Sequence, residues 1–172
     1  TSLQLKIQGD GTIAIDYRFT PDRALPEIPA VGLVFGLTKD YQTLDYLGRG
    51  PEESYIDRYT SQLFGHYTGR VEDQIVPYLK PQACGNKIDV RRIVVANNES
   101  AVTVKSATPF EVSVLPYRDD QLERATHHHV LPDVTETVMT INACQMGIGG
   151  DDSWGQKTHP EFTLYPTHTY QL

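Results

Sequence analysis

Residues 3–19 read Leu3-Gln4-Leu5-Lys6-Ile7-Gln8-Gly9-Asp10-Gly11-Thr12-Ile13-Ala14-Ile15-Asp16-Tyr17-Arg18-Phe19. Apolar side chains at every second position, on both sides of the glycines, have the period of a strand with one buried face. The Gly9-Asp10-Gly11 segment is typical of a tight turn because glycine adopts a positive φ without steric cost. This stretch therefore predicts an antiparallel hairpin.

The same signal recurs along the rest of the chain. About a third of the residues are β-branched or aromatic, the types that favour strands. Further strands are predicted over residues 31–38, 41–47, 88–96, 101–107, 110–117, 134–141, 162–165 and 168–172. Asn97-Asn98-Glu99-Ser100 is predicted to close another hairpin. A short helix is predicted at residues 119–123, with Asp120 as its cap and Glu123 reaching back.

Many short strands with little helix indicate an all-β fold, either a sandwich or a large antiparallel supersandwich that buries two inner sheet faces. The 11 prolines and 13 glycines are scattered between the strands and are not collected in one linker. We therefore expect a single domain over residues 1–172.

Composition excludes several classes of function. Fifteen Lys and Arg against 22 Asp and Glu give a net charge of −7, so nucleic acid is not an expected partner. No stretch approaches the roughly 18 apolar residues of a membrane span, and residues 1–10 lack the features of a signal peptide. We expect a cytoplasmic protein with no membrane partner, in which Cys84 and Cys144 remain unpaired thiols.

Residues 47–58 combine a glycine-rich turn with carboxylates and arginines. One interpretation is a tight turn in which the arginines form ion pairs with nearby carboxylates. The residues concerned are Arg49 and Arg58 with Glu52, Glu53 or Asp57. The other interpretation is a loop that faces a ligand or a partner domain, and both remain open.

Residues 146–155, Met146-Gly147-Ile148-Gly149-Gly150-Asp151-Asp152-Ser153-Trp154-Gly155, contain the only tryptophan of the chain. The glycines predict positive φ or a close backbone approach, and the two aspartates are able to accept hydrogen bonds from N–H groups of the loop. A single tryptophan belongs either to the core or to a ligand site, where its flat ring suits stacking on a sugar. The residues alone leave both interpretations open.

His127-His128-His129 has the first and third ring on one side of an extended chain, but no further ligand type lies at a suitable spacing. We expect structural hydrogen bonding there and no metal site. A glycosidase needs two carboxyl groups about 5 to 10 Å apart. The adjacent pairs Glu52/Glu53, Asp119/Asp120 and Asp151/Asp152 tend to point apart on an extended chain, so no catalytic residue is predicted.

Two runs resemble the C-terminal domain of large β-galactosidases, which forms most of the small subunit in two-chain forms of these glycoside hydrolases. They are Tyr46-Leu47-Gly48-Arg49-Gly50-Pro51-Glu52-Glu53-Ser54-Tyr55-Ile56-Asp57-Arg58 and Met146-Gly147-Ile148-Gly149-Gly150-Asp151-Asp152-Ser153-Trp154. Residues 78–87, 110–114 and 122–129 follow the order of the family between them. The resemblance covers essentially the whole chain.

The resemblance implies a galactose-mutarotase-like antiparallel β-supersandwich, of which this chain is expected to be part. It also implies that the catalytic glutamates and the magnesium and sodium ligands lie on a separate (β/α)₈ barrel or large subunit. That part is the expected partner, within an oligomeric enzyme that hydrolyses terminal β-D-galactosides such as lactose. Trp154 is expected to form part of the galactoside pocket. The residues expected to support its loop are Gly147, Gly149, Gly150, Asp151, Asp152 and Ser153.

The chain departs from the family pattern in two respects. Ala30 stands where family members commonly have Arg. The family domain also extends further toward the N-terminus than Thr1, so we expect a fragment with exposed sheet edges or an exposed apolar face. Two alternatives are a free-standing carbohydrate-binding module and an aldose epimerase-like enzyme. Candidate acid and base groups for the second, by residue type only, are His66, His127, His128, His129, His159 and His168.

Overall fold

A computed structural model describes residues 1–152 and 154–172, and strands dominate it. The strands are β1 (Ser2–Ile7), β2 (Ile13–Phe19), β3 (Ala30–Thr38), β4 (Thr43–Gly50), β5 (Leu63–Arg70), β6 (Lys87–Ala96), β7 (Ala101–Leu115), β8 (Glu136–Gln145) and β9 (Tyr170–Gln171). The helix α1 spans Asp119–Arg124, and short 3₁₀ turns cover Glu72–Gln74, His128–Val130 and Pro160–Phe162.

The strands form two sheets in which neighbouring strands pair antiparallel. The larger sheet has the order β3-β8-β7-β6-β4-β5, and the smaller has the order β1-β2-β9. In the smaller sheet Leu5 lies opposite Ile15 and Ile7 opposite Ile13, so the predicted hairpin is confirmed. The prediction of an all-β antiparallel fold is also confirmed.

One face of the six-stranded sheet carries the core. Directly opposed residues on neighbouring strands share this face, among them Tyr46 with Ile93 and Val114 with Met139. Each of these four side chains is at most 3% exposed. The cluster also contains Leu44, Val71, Val90, Val95, Phe110, Val112 and Ile141. On the other face Asp45 accepts one hydrogen bond from Arg92 and pairs with His66, each at 2.6 Å.

Several predicted boundaries were wrong. The two strands predicted over 101–107 and 110–117 are one strand, β7, which ends at Leu115, because Pro109 lies where the pairing with β6 shifts register and no ladder hydrogen bond is needed from it. Strand β5 was not predicted, since Gly65 and Gly69 interrupt its apolar pattern. Residues 162–165 do not form a strand: a 3₁₀ turn ends at Phe162, and Leu164 makes an isolated bridge.

The helix lies where it was predicted, but its cap differs. The N-cap is Arg118, not Asp120. Its backbone N–H donates to Oε1 of Gln121 at 2.8 Å, so Gln121 makes the contact that was expected of Glu123. The predicted turn at Asn97 is confirmed, because its N–H donates to the carbonyl of Ser100 at 3.0 Å.

The β1–β2 hairpin presents an exposed apolar face. Its exposed side chains are Leu3, Leu5, Ile7 and Ile13, with exposed fractions of 48% to 75%. Within the described residues, strand β2 contacts β9 through only a short ladder at Arg18 and Phe19. This face therefore contributes little buried apolar area to the core.

The contrast between the two sheets predicts different costs for the same substitution. Ile93→Ala in the core should lower the free energy of unfolding by about 3 kcal/mol, because it removes buried methyl groups and leaves a cavity. Ile13→Ala on the exposed face should lower it by less than about 1 kcal/mol. Urea denaturation of both variants measures the difference, and equal losses would contradict this assignment of the core.

Candidate functional site

The first of the two family-like runs ends in a tight turn from Tyr55 to Arg58. The N–H and carbonyl groups of these two residues bond to each other in both directions at 2.9 Å. The turn follows β4 and rests on the buried side chain of Glu53, which is 8% exposed. The turn is therefore held by its own backbone and by the carboxylate beneath it.

Glu53 is the centre of a hydrogen-bond network. Its carboxylate accepts the Tyr55 hydroxyl at 3.0 Å and the Gly85 N–H at 2.9 Å, and it also contacts Arg58 and the Tyr78 hydroxyl. Burial by itself raises the pKa of the Glu53 carboxyl. The hydrogen bonds it accepts and the charge of Arg58 outweigh that effect, so the pKa lies below its ordinary value.

The ion pairs expected in this run are confirmed in part. Arg58 pairs with Glu53, as predicted. Arg49 does not pair with any of its sequence neighbours: its Nε donates to Oδ2 of Asp89 at 2.5 Å, and a second nitrogen donates to the Gln62 carbonyl at 3.1 Å. Antiparallel pairing placed β6 beside β4, and sequence spacing alone did not reveal that neighbour.

Asp57 has a different partner from the one expected. It was a candidate ion-pair partner of the arginines, but its Oδ2 accepts the N–H groups of Ile148 at 2.8 Å and Gly149 at 3.0 Å. These residues belong to the second family-like run. The structure therefore joins the two runs through one carboxylate, a link that their separation of about ninety residues concealed.

Residues 146–155, hereafter the tryptophan loop, pass close to their surroundings at two glycines. A Cβ atom at Gly147 would lie 2.6 Å from Oδ2 of Asp57, and one at Gly150 would lie 2.4 Å from the Gln156 carbonyl oxygen. The backbone at these positions thus has no room for a side chain. A Cβ at Gly149 would meet nothing within 4 Å, so that residue contributes only its N–H group.

The two aspartates of the tryptophan loop have separate roles. Oδ1 of Asp152 accepts the N–H groups of Trp154 at 2.8 Å and Gln156 at 3.3 Å. Asp151 instead pairs with Nε2 of His159 at 2.8 Å. That hydrogen bond and the charge of Asp151 raise the pKa of His159 above its ordinary value. Ser153 lies outside the described residues.

Trp154 is 91% exposed, so its ring is not part of the core. Beside the loop lies an open cleft of about 430 Å³. Its lining residues are Asp57, Arg58, Ile148, Gly149, Gly150, Asp151, His159 and Phe162. The two family-like runs therefore meet at one open cleft, and the loop that forms part of its wall also carries the exposed Trp154.

The histidine run has no metal-site geometry. Residues 128–130 form a 3₁₀ turn rather than extended chain, and the rings of His127 and His129 stack with centroids 5.4 Å apart. Nδ1 of His127 lies 3.4 Å from the Thr126 hydroxyl. Within residues 1–152 and 154–172, no three His, Cys, Asp or Glu side chains are grouped to hold a metal ion.

Buried titratable groups lie behind the turn, and a half-buried one, Cys144, lies on β8. Cys84 and Cys144 are free thiols, as predicted, and burial raises the pKa of both, that of Cys144 to about 11. Lys87 is 4% exposed, and its ammonium donates to the Gly85 carbonyl at 3.3 Å. Burial lowers the pKa of Lys87 to about 8.

In the described part of the chain, no helix has the length and apolarity to cross a membrane.

All 172 residues match the family described as beta galactosidase small chain. The chain belongs to this family. It is 39% identical over 165 residues to a β-galactosidase of Priestia megaterium, covering 95% of this chain and 16% of that protein. It is 36% identical over 160 residues to a β-galactosidase of Halalkalibacterium halodurans, and the match covers 90% of this chain and 16% of that protein. A β-galactosidase of Vibrio cholerae is 34% identical over 173 residues, and the match covers 100% of this chain and 16% of that protein. The chain thus spans about 16% of the length of these family relatives.

The pairing of Asp151 with His159 predicts a measurable change in pKa. Asp151→Asn should move the pKa of His159 down toward its ordinary value, because the neutral amide no longer stabilises the protonated ring. A proton NMR titration of His159 follows the change. Asp133→Asn, which alters an exposed aspartate outside the tryptophan loop, is the matched control and should leave the titration unchanged. An unmoved His159 titration in Asp151→Asn would contradict the contact.

Lys87 predicts an unusual dependence of stability on pH. Between about pH 8 and pH 10 the unfolded chain retains a proton that folded Lys87 has released, so Lys87 contributes a rise in the free energy of unfolding with pH. The raised pKa values of Cys84 and Cys144 contribute a fall over the same range, so the contribution of Lys87 is measured as the difference between wild type and Lys87→Met. The gain should amount to about 2 kcal/mol and should be absent in Lys87→Met. Urea denaturation at several pH values tests this, with exposed Lys105→Met as control. The same slope in wild type and Lys87→Met would contradict it.

Proposed function

We propose that this chain is the non-catalytic part of a β-galactosidase and completes the galactoside pocket with Trp154. The proposal rests on one observation above all: the only tryptophan is 91% exposed on a loop whose backbone is tied down by carboxylates. An exposed aromatic ring on a restrained backbone suits a sugar ring, since binding removes a large apolar area from water and the backbone is already ordered.

Each described residue of the site would have a distinct role. Trp154 would contribute stacking area to the sugar or to its leaving group. Asp152 would fix the backbone at the indole, and Gly147 and Gly150 would allow the loop to approach its surroundings closely. At the cleft, Oδ2 of Asp57 holds backbone N–H groups and Asp151 holds His159, whereas Oδ1 of Asp57 is buried without a hydrogen-bond partner among the described residues.

The catalytic chemistry would then belong to the remainder of the enzyme. We propose that the acid/base and nucleophilic glutamates, and the magnesium and sodium ions, lie on the barrel-bearing part or large subunit. Hydrolysis of terminal β-D-galactosides such as lactose would require the two parts together, within an oligomeric enzyme. The free thiols Cys84 and Cys144 favour a reducing compartment, so the cytoplasm is the proposed location.

A free-standing carbohydrate-binding module is the second candidate, because Trp154 is already presented in this chain alone. An aldose epimerase would need an acid and a base across one sugar ring. His66 pairs with Asp45 on the six-stranded sheet, whereas His159 pairs with Asp151 at the cleft. Because these two histidines lie at different places, they do not form an acid and base pair across one sugar ring, which argues against the epimerase.

Trp154→Ala tests the proposed role in a β-galactosidase that contains this segment and the barrel. We expect the KM for lactose to rise about tenfold, because truncation removes the stacking area. The catalytic carboxylates should remain in place, so hydrolysis should persist at saturating substrate. Steady-state kinetics measure both effects, and thermal unfolding checks that the variant is folded.

Phe64→Ala is the matched control, because Phe64 is an aromatic residue on β5 that is 50% exposed. It should leave the kinetics unchanged. Unaltered kinetics in Trp154→Ala would refute the assignment. Titrating lactose against the fluorescence of Trp154 in this chain alone separates the candidates: saturable quenching would support the free-standing module, and no response would support a partial site.

A further inference from the structure

We propose that Asp57 is the positioning residue of the tryptophan loop, acting from a different segment to hold Trp154 where a sugar is bound. The effect on sugar binding rests on the proposed function of Trp154, whereas the effect on loop order does not. Asp57 would not touch the substrate. It would act through two backbone N–H groups near the start of the loop.

The contact is directional and uses one oxygen atom. Oδ2 of Asp57 accepts the N–H groups of two successive residues, Ile148 at 2.8 Å and Gly149 at 3.0 Å. Hydrogen bonds to a charged acceptor are stronger than those between neutral groups. Two N–H groups directed at one carboxylate oxygen restrict both the position and the orientation of the peptide planes that carry them.

Asp57 is itself held in place. It lies in the turn closed by the reciprocal backbone bonds of Tyr55 and Arg58. That turn is fixed from below by buried Glu53, which accepts the Tyr55 hydroxyl and contacts Arg58. The turn thus forms a rigid base, and this is the condition under which a side chain is able to position a loop.

The loop is anchored independently on both sides of the Asp57 contact. Met146 donates its N–H to the Pro29 carbonyl at 2.9 Å, and Gly147 donates its N–H to the Phe162 carbonyl at 2.8 Å. Further along, Asp151 pairs with Nε2 of His159, a residue outside the loop, at 2.8 Å. Asp57 provides the described side-chain contact to Ile148 and Gly149, between these two anchors. Loss of the carboxylate would release the segment on which the indole depends.

Amide hydrogen exchange in the 172-residue chain tests the positioning directly. In Asp57→Ala, exchange at Ile148 and Gly149 should become about tenfold faster, and the fluorescence anisotropy of Trp154 should fall. Because Trp154 is the only tryptophan, the optical signal comes from one residue. Asp57→Asn retains an acceptor oxygen without the charge, so its exchange rates should lie between those of wild type and Asp57→Ala.

Asp45→Ala is the matched control, because it removes a carboxylate with partners of its own, Arg92 and His66, on the six-stranded sheet. It should leave exchange at Ile148 and Gly149 unchanged. If Asp57→Ala does not fold, the test uses Asp57→Asn alone. Faster exchange confined to the amides of Ile148 and Gly149 would then support the proposal. Unchanged exchange at both amides in a folded Asp57 variant would overturn the proposal.

A double-mutant cycle in a β-galactosidase that contains this segment links positioning to substrate. Asp57→Ala should raise the KM for lactose, but it should add nothing to Trp154→Ala when the two are combined. Fully additive effects would overturn the link between Asp57 and the indole. If Trp154→Ala has normal kinetics while Asp57→Ala still accelerates exchange, the proposed function fails and the positioning of the loop stands.

Discussion

The buried carboxylate of Glu53 is the interaction on which the candidate site depends. It joins three parts of the chain: the turn after β4, the Gly85 backbone before β6, and the loop that carries Tyr78. A buried charge is costly unless its lone pairs are occupied, and here several donors surround it. Loss of Glu53 would therefore leave Gly85 and Tyr55 without their acceptor and free the turn that carries Asp57.

A series of contacts leads from the Glu53 network to the tryptophan loop at the surface. The turn presents Asp57, Asp57 holds the backbone of Ile148 and Gly149, and Asp152 holds the N–H group of Trp154. Each step relies on hydrogen bonds to a carboxylate, because the site lies on the surface and apolar packing is sparse there. The backbone at an almost fully exposed ring is in this way held without burial of the ring, which fits the proposed role of Trp154 in sugar binding.

Periodicity predicted most of the fold, and it failed where local pattern and pairing disagree. Strands with clear alternation, such as β1 and β2, lie where they were expected, whereas β5 was missed because its glycines conceal the pattern. The loop at Trp154 was recognisable as special from its glycines and aspartates. The contact with Asp57 was not, since it depends on a long-range approach that no local rule contains. The partner of Arg49 was missed for the same reason.

The close approach of Gly147 to Asp57 has an evolutionary consequence. A methyl group at position 147 would overlap the carboxylate that its neighbours bind, so the two positions form one steric and electrostatic unit. A Cβ at 147 would also lie 2.7 Å from Cγ2 of Thr158, so a larger residue would fit only after both neighbours had moved, and an acid that has moved no longer holds the loop. Lineages that place a larger residue at 147 would have to change its neighbours as well, and the route between two working combinations passes through a loosened intermediate.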